Sequence, residues 1–484
     1  MGERMLIDGK LVEASTGLTY PNINPATEKI LGDVPDGSEN DMDQAIDAAR
    51  RAFDTTTWST DHKFRQHCLQ QLQQALEGAR ESLRKTVVAE VGAPLLLTYG
   101  PQVDVPIDEA INAQIAAIDS FNWERELPVV NGIMGSGRRL VVKEAVGVVG
   151  AIVPWNFPLE ITLHKLAQAL ATGNTLVIKP APDTPWNATQ LGRLIAESTD
   201  IPPGVVNVVT SQHHGRGQQL VVDPRVDLIS FTGSTATGRR IMELGGATLK
   251  RLFLELGGKS ANIVLDDADF EAVLPAASFV CAHAGQGCAL PTRLLLPRSR
   301  YEEGLAIVAQ AMSQVKVGDP NDPEVLAGPL ISDTQLQRVL SYIQVGRDEG
   351  ARVVLGGWRS KDLERGYFVE PTLFADVDNR MRIAQEEIFG PVLVAIPFDD
   401  DNDAVAIAND SIYGLSGLVS SASDERALSM ARRIRSGTLG VNGGSWYAAD
   451  SPFGGYKASG IGRQGGDEGF EQYLETKTLA LPVR

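Results

Sequence analysis

A chain of 484 residues, 43% hydrophobic and 22% charged, has globular composition and is long enough for two or three domains with cores of their own. Its 44 basic and 61 acidic side chains leave a formal charge of −17, and an acidic surface repels phosphate backbones, so nucleic acid is not an expected partner. The cysteines Cys68, Cys281 and Cys288 are too few and too scattered for a disulfide framework, and none forms a CxxC pair with zinc spacing, so a reducing, cytoplasmic setting without a bound metal is expected.

The start of the chain lacks the basic region and apolar core of a signal peptide. The apolar stretch 145–154 is broken by Gly147 and Gly150 and is too short to span a bilayer, so no membrane role is expected. Ser38-Glu39-Asn40-Asp41 reads as a capping box, followed by Met42, Ala45, Ile46, Ala49 and Phe53 at helical spacing. A second helix is expected over residues 64–83. Over 127–142, two β-prone runs flank the turn-rich Asn131-Gly132-Ile133-Met134-Gly135-Ser136-Gly137, which predicts a protruding hairpin. Such a hairpin is marginal alone, so it should pair with another element or subunit.

Strands and helices then alternate. Residues 146–153 read as a buried strand, and Leu163, Leu166, Ala167 and Leu170 mark one face of a helix. Strands at 175–178, 205–209, 227–231 and 252–254, with a helix at 186–197, complete the series. This pattern predicts a parallel sheet covered on both faces, a nucleotide-binding architecture that by itself proves no function. A second α/β pattern follows Gly257, then a glycine-rich segment at 452–460. The tail, 473–484, alternates enough to be a strand and is a candidate partner for the hairpin.

Two motifs have the wrong context. Gly460-Ile461-Gly462-Arg463-Gln464-Gly465 matches the GxGxxG fingerprint, but no strand precedes it and too little chain follows for a βαβ unit; a structural glycine turn is the better reading. Gly233-Ser234-Thr235-Ala236-Thr237-Gly238 has Walker A glycines, yet Arg239 and Arg240 stand where lysine and a hydroxyl are required. The loop still joins a strand to a helix, where backbone amides favour an anion.

Cys288, in Gly285-Gln286-Gly287-Cys288, would alone read as an inert buried thiol. Its company includes Pro154-Trp155-Asn156-Phe157-Pro158, Lys179-Pro180, Phe231-Thr232-Gly233-Ser234, Glu255-Leu256-Gly257-Gly258-Lys259-Ser260 and Glu387-Ile388-Phe389-Gly390-Pro391. In these motifs and their order, over about residues 21–477, the chain resembles the aldehyde dehydrogenase superfamily of the NAD(P)-dependent, hydrolytic type.

The resemblance implies an α/β fold: a Rossmann-like cofactor domain (1–124 and 145–256), an α/β catalytic domain (257–465), and oligomerisation elements at 125–144 and 466–484 that form a homodimer or homotetramer. It implies that Cys288 is the nucleophile, passing through a thiohemiacetal and a thioester. Glu255 would be the general base and the Asn156 amide an oxyanion donor. Lys179 would bind the adenosine ribose, Gly233 and Ser234 the pyrophosphate, and Glu387 the nicotinamide ribose, with Phe389 beside the ring. Val153, Pro154, Trp155, Phe231, Thr232 and Leu256 complete the expected cofactor set, plain packing being the alternative for Trp155. NAD is the expected cofactor and a small-molecule aldehyde the substrate.

Some positions depart from the pattern. Pro182 stands where many NAD-using relatives carry a glutamate, which leaves NADP open. His283, five residues before Cys288, could tune its thiol, or could simply pack at a helix end. Phe121, Trp123, Trp446 and Tyr447 are candidates for an apolar substrate tunnel. Two other readings stay open: a CoA-acylating semialdehyde dehydrogenase, and a non-catalytic protein on the same fold.

Overall fold

Val148–Ile152, Thr175–Lys179, Val206–Val208 and Leu228–Thr232 are nearly continuous apolar runs, and only a strand covered on both faces can bury such a run. In the computed structural model, which describes residues 2–133 and 135–483, they join Arg251–Glu255 in a parallel sheet. Met134 in the hairpin turn, and Met1 and Arg484 at the termini, lie outside the described residues. Antiparallel strands Met5–Ile7 and Lys10–Val12 extend one edge of this sheet, and Gly460–Ile461 extends the other, giving eight strands.

The strand order decides where a ligand can enter. Chain direction carries Val148–Ile152 to Thr175–Lys179 and Val206–Val208 on one side, but Leu228–Thr232 and Arg251–Glu255 lie on the other. The order therefore reverses between Val148–Ile152 and Leu228–Thr232. A crevice opens at the carboxyl ends of strands at such a switch point.

A second sheet has the order Arg352–Leu355, Thr372–Ala375, Val392–Phe398, Arg293–Pro297, Ala261–Val264, Gly417–Ser420 and Gly440–Val441, parallel apart from its first strand. Glu255 ends a strand of the first sheet, and Ala261 begins one of the second. The carboxyl edge of the first sheet thus faces the amino edge of the second. Gly460–Ile461, expected within the second unit, instead pairs with Leu254 and Glu255 at the edge of the first. The GxGxxG segment is a glycine turn, with Gly460, Gly462 and Gly465 all at positive φ.

Leu474–Pro482 pairs antiparallel with Gly135–Ala145, from Leu474 opposite Ala145 to Pro482 opposite Gly137, and Glu124–Gly132 adds a third strand. The hairpin does find the tail as its partner. Ser38 caps Glu39–Thr55 as its sequence indicates, its Oγ accepting from Asp41 N–H at 3.1 Å.

The helix Pro158–Ala171 departs from expectation. One apolar face is predicted, yet every residue is buried, including Glu160, His164 and Lys165. It is wedged between the first sheet and the helices His62–Thr86 and Asp104–Ser120, so no face is left for solvent. No helix among the described residues is long and apolar enough to cross a membrane.

Candidate active site

The carboxyl end of Val148–Ile152 runs into Val153-Pro154-Trp155-Asn156, and Pro158 starts the next helix with its φ already helical and no N–H to satisfy. Asn156 is held at this bend from three sides. Its backbone carbonyl accepts from Gln102 Nε2 and from His283 Nε2, both at 2.9 Å. Its side-chain Nδ2 donates to the Gln286 carbonyl at 2.9 Å. An amide NH₂ carries two N–H groups, so one remains for an oxygen in the crevice.

The loop that carries Cys288 is set by backbone conformations most residues avoid. The 3₁₀ segment Leu274–Gly285 breaks at its end, where His283, Ala284 and Gly285 take φ of 51°, 52° and 75°. Left-handed φ in two consecutive non-glycine residues stores strain, which the surroundings must over-determine. They do so here. A Cβ on Gly285 would lie 2.0 Å from the Gly390 carbonyl oxygen, so only glycine fits. Gln286 then pins the loop: its Nε2 donates to the His283 and Pro329 carbonyls, and its Oε1 accepts from Ile331 N–H. Burial pulls His283 down to about 4, so it is a neutral imidazole whose Nε2–H serves the Asn156 carbonyl. The helix-end packing role is the one observed, and its ring lies edge-on to Phe157.

Cys288 is partly exposed at the tip of this loop, and Glu255, at the end of Arg251–Glu255, is buried beside it. The two are close enough to shift each other's protonation. Burial and the Glu255 carboxylate push the Cys288 thiol well above its usual range. Burial pushes Glu255 up to about 7, against the pull of the neighbouring Lys165 ammonium. Lys165 is fully buried; its Nζ donates to Ser230 Oγ at 3.0 Å and lies over the Phe253 ring. Glu255 Oε1 has no hydrogen-bond partner among the described groups. A carboxylate with a free buried oxygen next to a protonated thiol is arranged to take a proton.

Asn156, Glu255 and Cys288 stand where two cavities meet, since all three line both. One cavity, of about 240 Å³, opens at the switch point and is walled by Pro154, Trp155, Thr232, Gly233, Ser234, Leu256, Glu387 and Phe389. Ser234 caps Thr235–Gly245 at its mouth, so an eleven-residue helix points its amino end there. The Gly233 N–H is engaged with the Glu255 carbonyl, tying this loop to the end of Arg251–Glu255. Glu387 Oε1 accepts from Gly258 N–H at 3.0 Å, and a Cβ on Gly257 would strike Glu387 Oε2 at 2.4 Å. Phe389 has φ of 63° and meets Trp155 edge-on at 5.4 Å.

Three expected cofactor residues do not line this cleft. Val153 and Phe231 are buried beneath it, and Lys179 lies to the side, its Nζ donating to the Pro180 carbonyl at 3.0 Å. Gln335 and Arg338 do line it and are not apparent from sequence. They are two polar residues on the amphipathic helix Asp333–Asp348, and they hold the Glu387–Phe389 backbone through its carbonyls.

The other cavity, of about 420 Å³, is walled mainly by apolar side chains. Trp446 and Tyr447 line it as expected. Phe121 and Trp123 do not: they are partly buried and pack on Phe470 at 4.8 and 5.6 Å, against the core of the first unit. A tryptophan or phenylalanine in a core leaves the same mark in a sequence as one in a tunnel.

The profile of the aldehyde dehydrogenase family matches residues 11–479. The chain belongs to the aldehyde dehydrogenase family. It is 42% identical over 477 residues to a 3-succinoylsemialdehyde-pyridine dehydrogenase from Pseudomonas sp, covering 98% of this dehydrogenase and 97% of the relative. Solved structures agree over the whole fold. A Mycobacterium tuberculosis aldehyde dehydrogenase complexed with NAD+ superposes with TM-score 0.94 at 42% identity, covering 99% of this dehydrogenase and 98% of that chain. An NAD+ complex of a Bacillus cereus aldehyde dehydrogenase gives TM-score 0.95 at 36% identity, covering 100% and 97%.

Proposed function

We propose that this aldehyde dehydrogenase oxidises an aldehyde to its acid with NAD, using Cys288 as nucleophile, Glu255 as base and Asn156 as oxyanion donor. The observation that carries the reading is the meeting of two cavities at these three residues, one apolar and one at the switch point. The switch-point cleft suits a dinucleotide. Ser234 and the helix end at its mouth favour a phosphate, and the Trp155 and Phe389 rings, set edge-on to each other, offer an apolar corner. The buried Glu387 carboxylate can accept from ribose hydroxyls. When bound, NAD would supply the acceptor for a hydride.

The chain's own groups then act in order. Glu255 takes the thiol proton, and Cys288 Sγ adds to the carbonyl carbon. The oxygen that becomes anionic faces the spare N–H of Asn156 Nδ2 and the Cys288 backbone N–H. The thiohemiacetal gives up its hydride and leaves a thioester on Cys288. Glu255, having passed the thiol's proton to solvent, deprotonates a water that attacks the thioester; the acid leaves, and the Cys288 thiolate takes this second proton back from Glu255. A buried carboxyl near pH 7 is matched to both proton transfers. This base also favours hydrolysis over acyl transfer to CoA.

NAD is favoured by the NAD+ complexes of the solved relatives, while Pro182 brings no carboxylate to repel a 2′-phosphate. Residues 1–124 and 145–256 would carry the cofactor and 257–465 the nucleophile. The three-stranded sheet at 125–144 and 466–484 would lie between copies of the chain, since it exposes Val129, Leu479 and Leu481. The Pseudomonas relative's name joins a semialdehyde to a pyridine, and the aromatic walls of the larger cavity suit an aldehyde bearing a planar ring.

The test is a panel of aldehydes assayed with NAD and NADP in parallel, on wild type and Cys288→Ala. Reduced cofactor should form with NAD on wild type. Cys288→Ala should form none while still binding NAD. Full turnover by Cys288→Ala would overturn the reading.

A further inference from the structure

The larger cavity carries one polar feature that the chemistry at Cys288 does not use. Glu160 lies in the first turn of Pro158–Ala171, one turn beyond Asn156, and its side chain faces the cavity. Tyr447, which also lines the cavity, donates its hydroxyl to Glu160 Oε1 at 2.8 Å. His164 Nε2 stands 3.6 Å from the same oxygen, but burial pulls that imidazole down to about 4, so it brings no charge. Lys165 gives its hydrogen bond to Ser230 on the sheet, so it reaches Glu160 only through its charge, which partly offsets the burial. Glu160 Oε2 has no protein partner among the described residues.

A carboxyl in an apolar cavity is costly unless its free oxygen meets a donor when the site is filled. No lysine or arginine lines the cavity, whereas Glu160 and Glu255 both do. Burial already pushes the Glu160 carboxyl up to about 7, so a further negative charge there would face a group short of solvation. The surrounding Phe157, Phe279, Trp446 and Phe453 give shape and apolar contact but no direction.

We propose that Glu160 and Tyr447 form a subsite for the far end of the substrate, which takes an aldehyde ending in a hydrogen-bond donor and rejects one ending in a carboxylate. The subsite rests on the reading of Cys288 as the nucleophile that fixes the other end. It would make this enzyme select by the group remote from the carbonyl. Apolar contact alone discriminates weakly, whereas a site with a buried polar group penalises a ligand that leaves it unpaired.

The experiment compares kcat/KM for hexanal, its ω-hydroxy derivative and adipic semialdehyde, with shorter and longer counterparts, on wild type, Glu160→Gln, Glu160→Leu and Tyr447→Phe. On wild type the hydroxy aldehyde should exceed the carboxylate-ended one by about tenfold or more at the best length. In Glu160→Leu the ratio of hydroxy to methyl-ended substrate should fall by about tenfold, with Glu160→Gln and Tyr447→Phe between. Ratios unchanged in Glu160→Leu overturn the subsite, as does a wild type that prefers the carboxylate. If Glu160→Leu does not fold, an unchanged ratio in both Glu160→Gln and Tyr447→Phe overturns it. Failure of wild type on every aldehyde would instead overturn the nucleophile reading.

Discussion

Glu255 must be ionised to accept a proton, and burial holds its carboxyl near pH 7 rather than in the usual range. Activity should therefore rise with pH through an inflection near 7. Glu255→Gln should flatten that limb and slow the steady state, which a pH–rate profile of both proteins would show. Asn156→Ala removes one oxyanion donor and should lower kcat by about 10²–10³ at little cost in KM. His283 acts through Asn156. Because its folded value, about 4, lies below the ordinary 6.5, its neutral form adds stability above pH 6.5 that is lost as pH falls toward 4. His283→Leu leaves the Asn156 carbonyl with one donor and should cost about 1–3 kcal/mol, read by denaturant unfolding. Cys288, Glu255 and Asn156 could be picked out as candidates from sequence because each sits in a short motif, and the structure brings the three to one place. Glu160, Lys165 and Gln335 could not, because each is one polar residue on a helix and only packing reveals what it faces.

The Cys288 loop makes a sharp demand on the backbone. Gly285→Ala asks for a left-handed alanine and a Cβ inside contact distance of the Gly390 carbonyl. It should cost about 1–3 kcal/mol in strain alone and abolish turnover. Gly287, two residues on, has ordinary φ, and its Cβ would meet only the flexible Leu290 side chain. Gly287→Ala should keep its melting temperature within a few degrees of wild type, so the pair separates a conformational need from a small-residue preference. Strands were legible because burial on both faces writes continuous apolar runs, and the Ser38 cap because its hydrogen bonds are local. The all-round burial of Pro158–Ala171 was not legible. Its Glu160, His164 and Lys165 read as a solvent face until three neighbouring layers are in place.

For the molecule as a whole, the exposed three-stranded sheet predicts a closed oligomer by light scattering at micromolar concentration. Removing 474–484 takes away the strand opposite Gly135–Ala145 and should yield monomer. The tail's pairing with the hairpin was legible from alternation and turn residues, but the place of Gly460–Ile461 was not, since a two-residue strand has no periodicity. That short strand changes how the two sheets are connected. The chain passes from the first sheet to the second through residues 256–260 and returns through 442–459 to end beside Glu255. Two tethers restrain the sheets more than one would, since twisting or parting them stretches at least one. The Asn156 bonds to His283 and Gln286 add a further link between them. Leu256 N–H bonds the Ser459 carbonyl, and Ser459 Oγ donates to the Gly257 carbonyl, so the tethers are laced together next to the base. Glu255, the Gly233–Ser234 loop and the two tethers are thus one bonded unit, so the mouth of the cleft keeps a fixed relation to the Glu255 carboxyl.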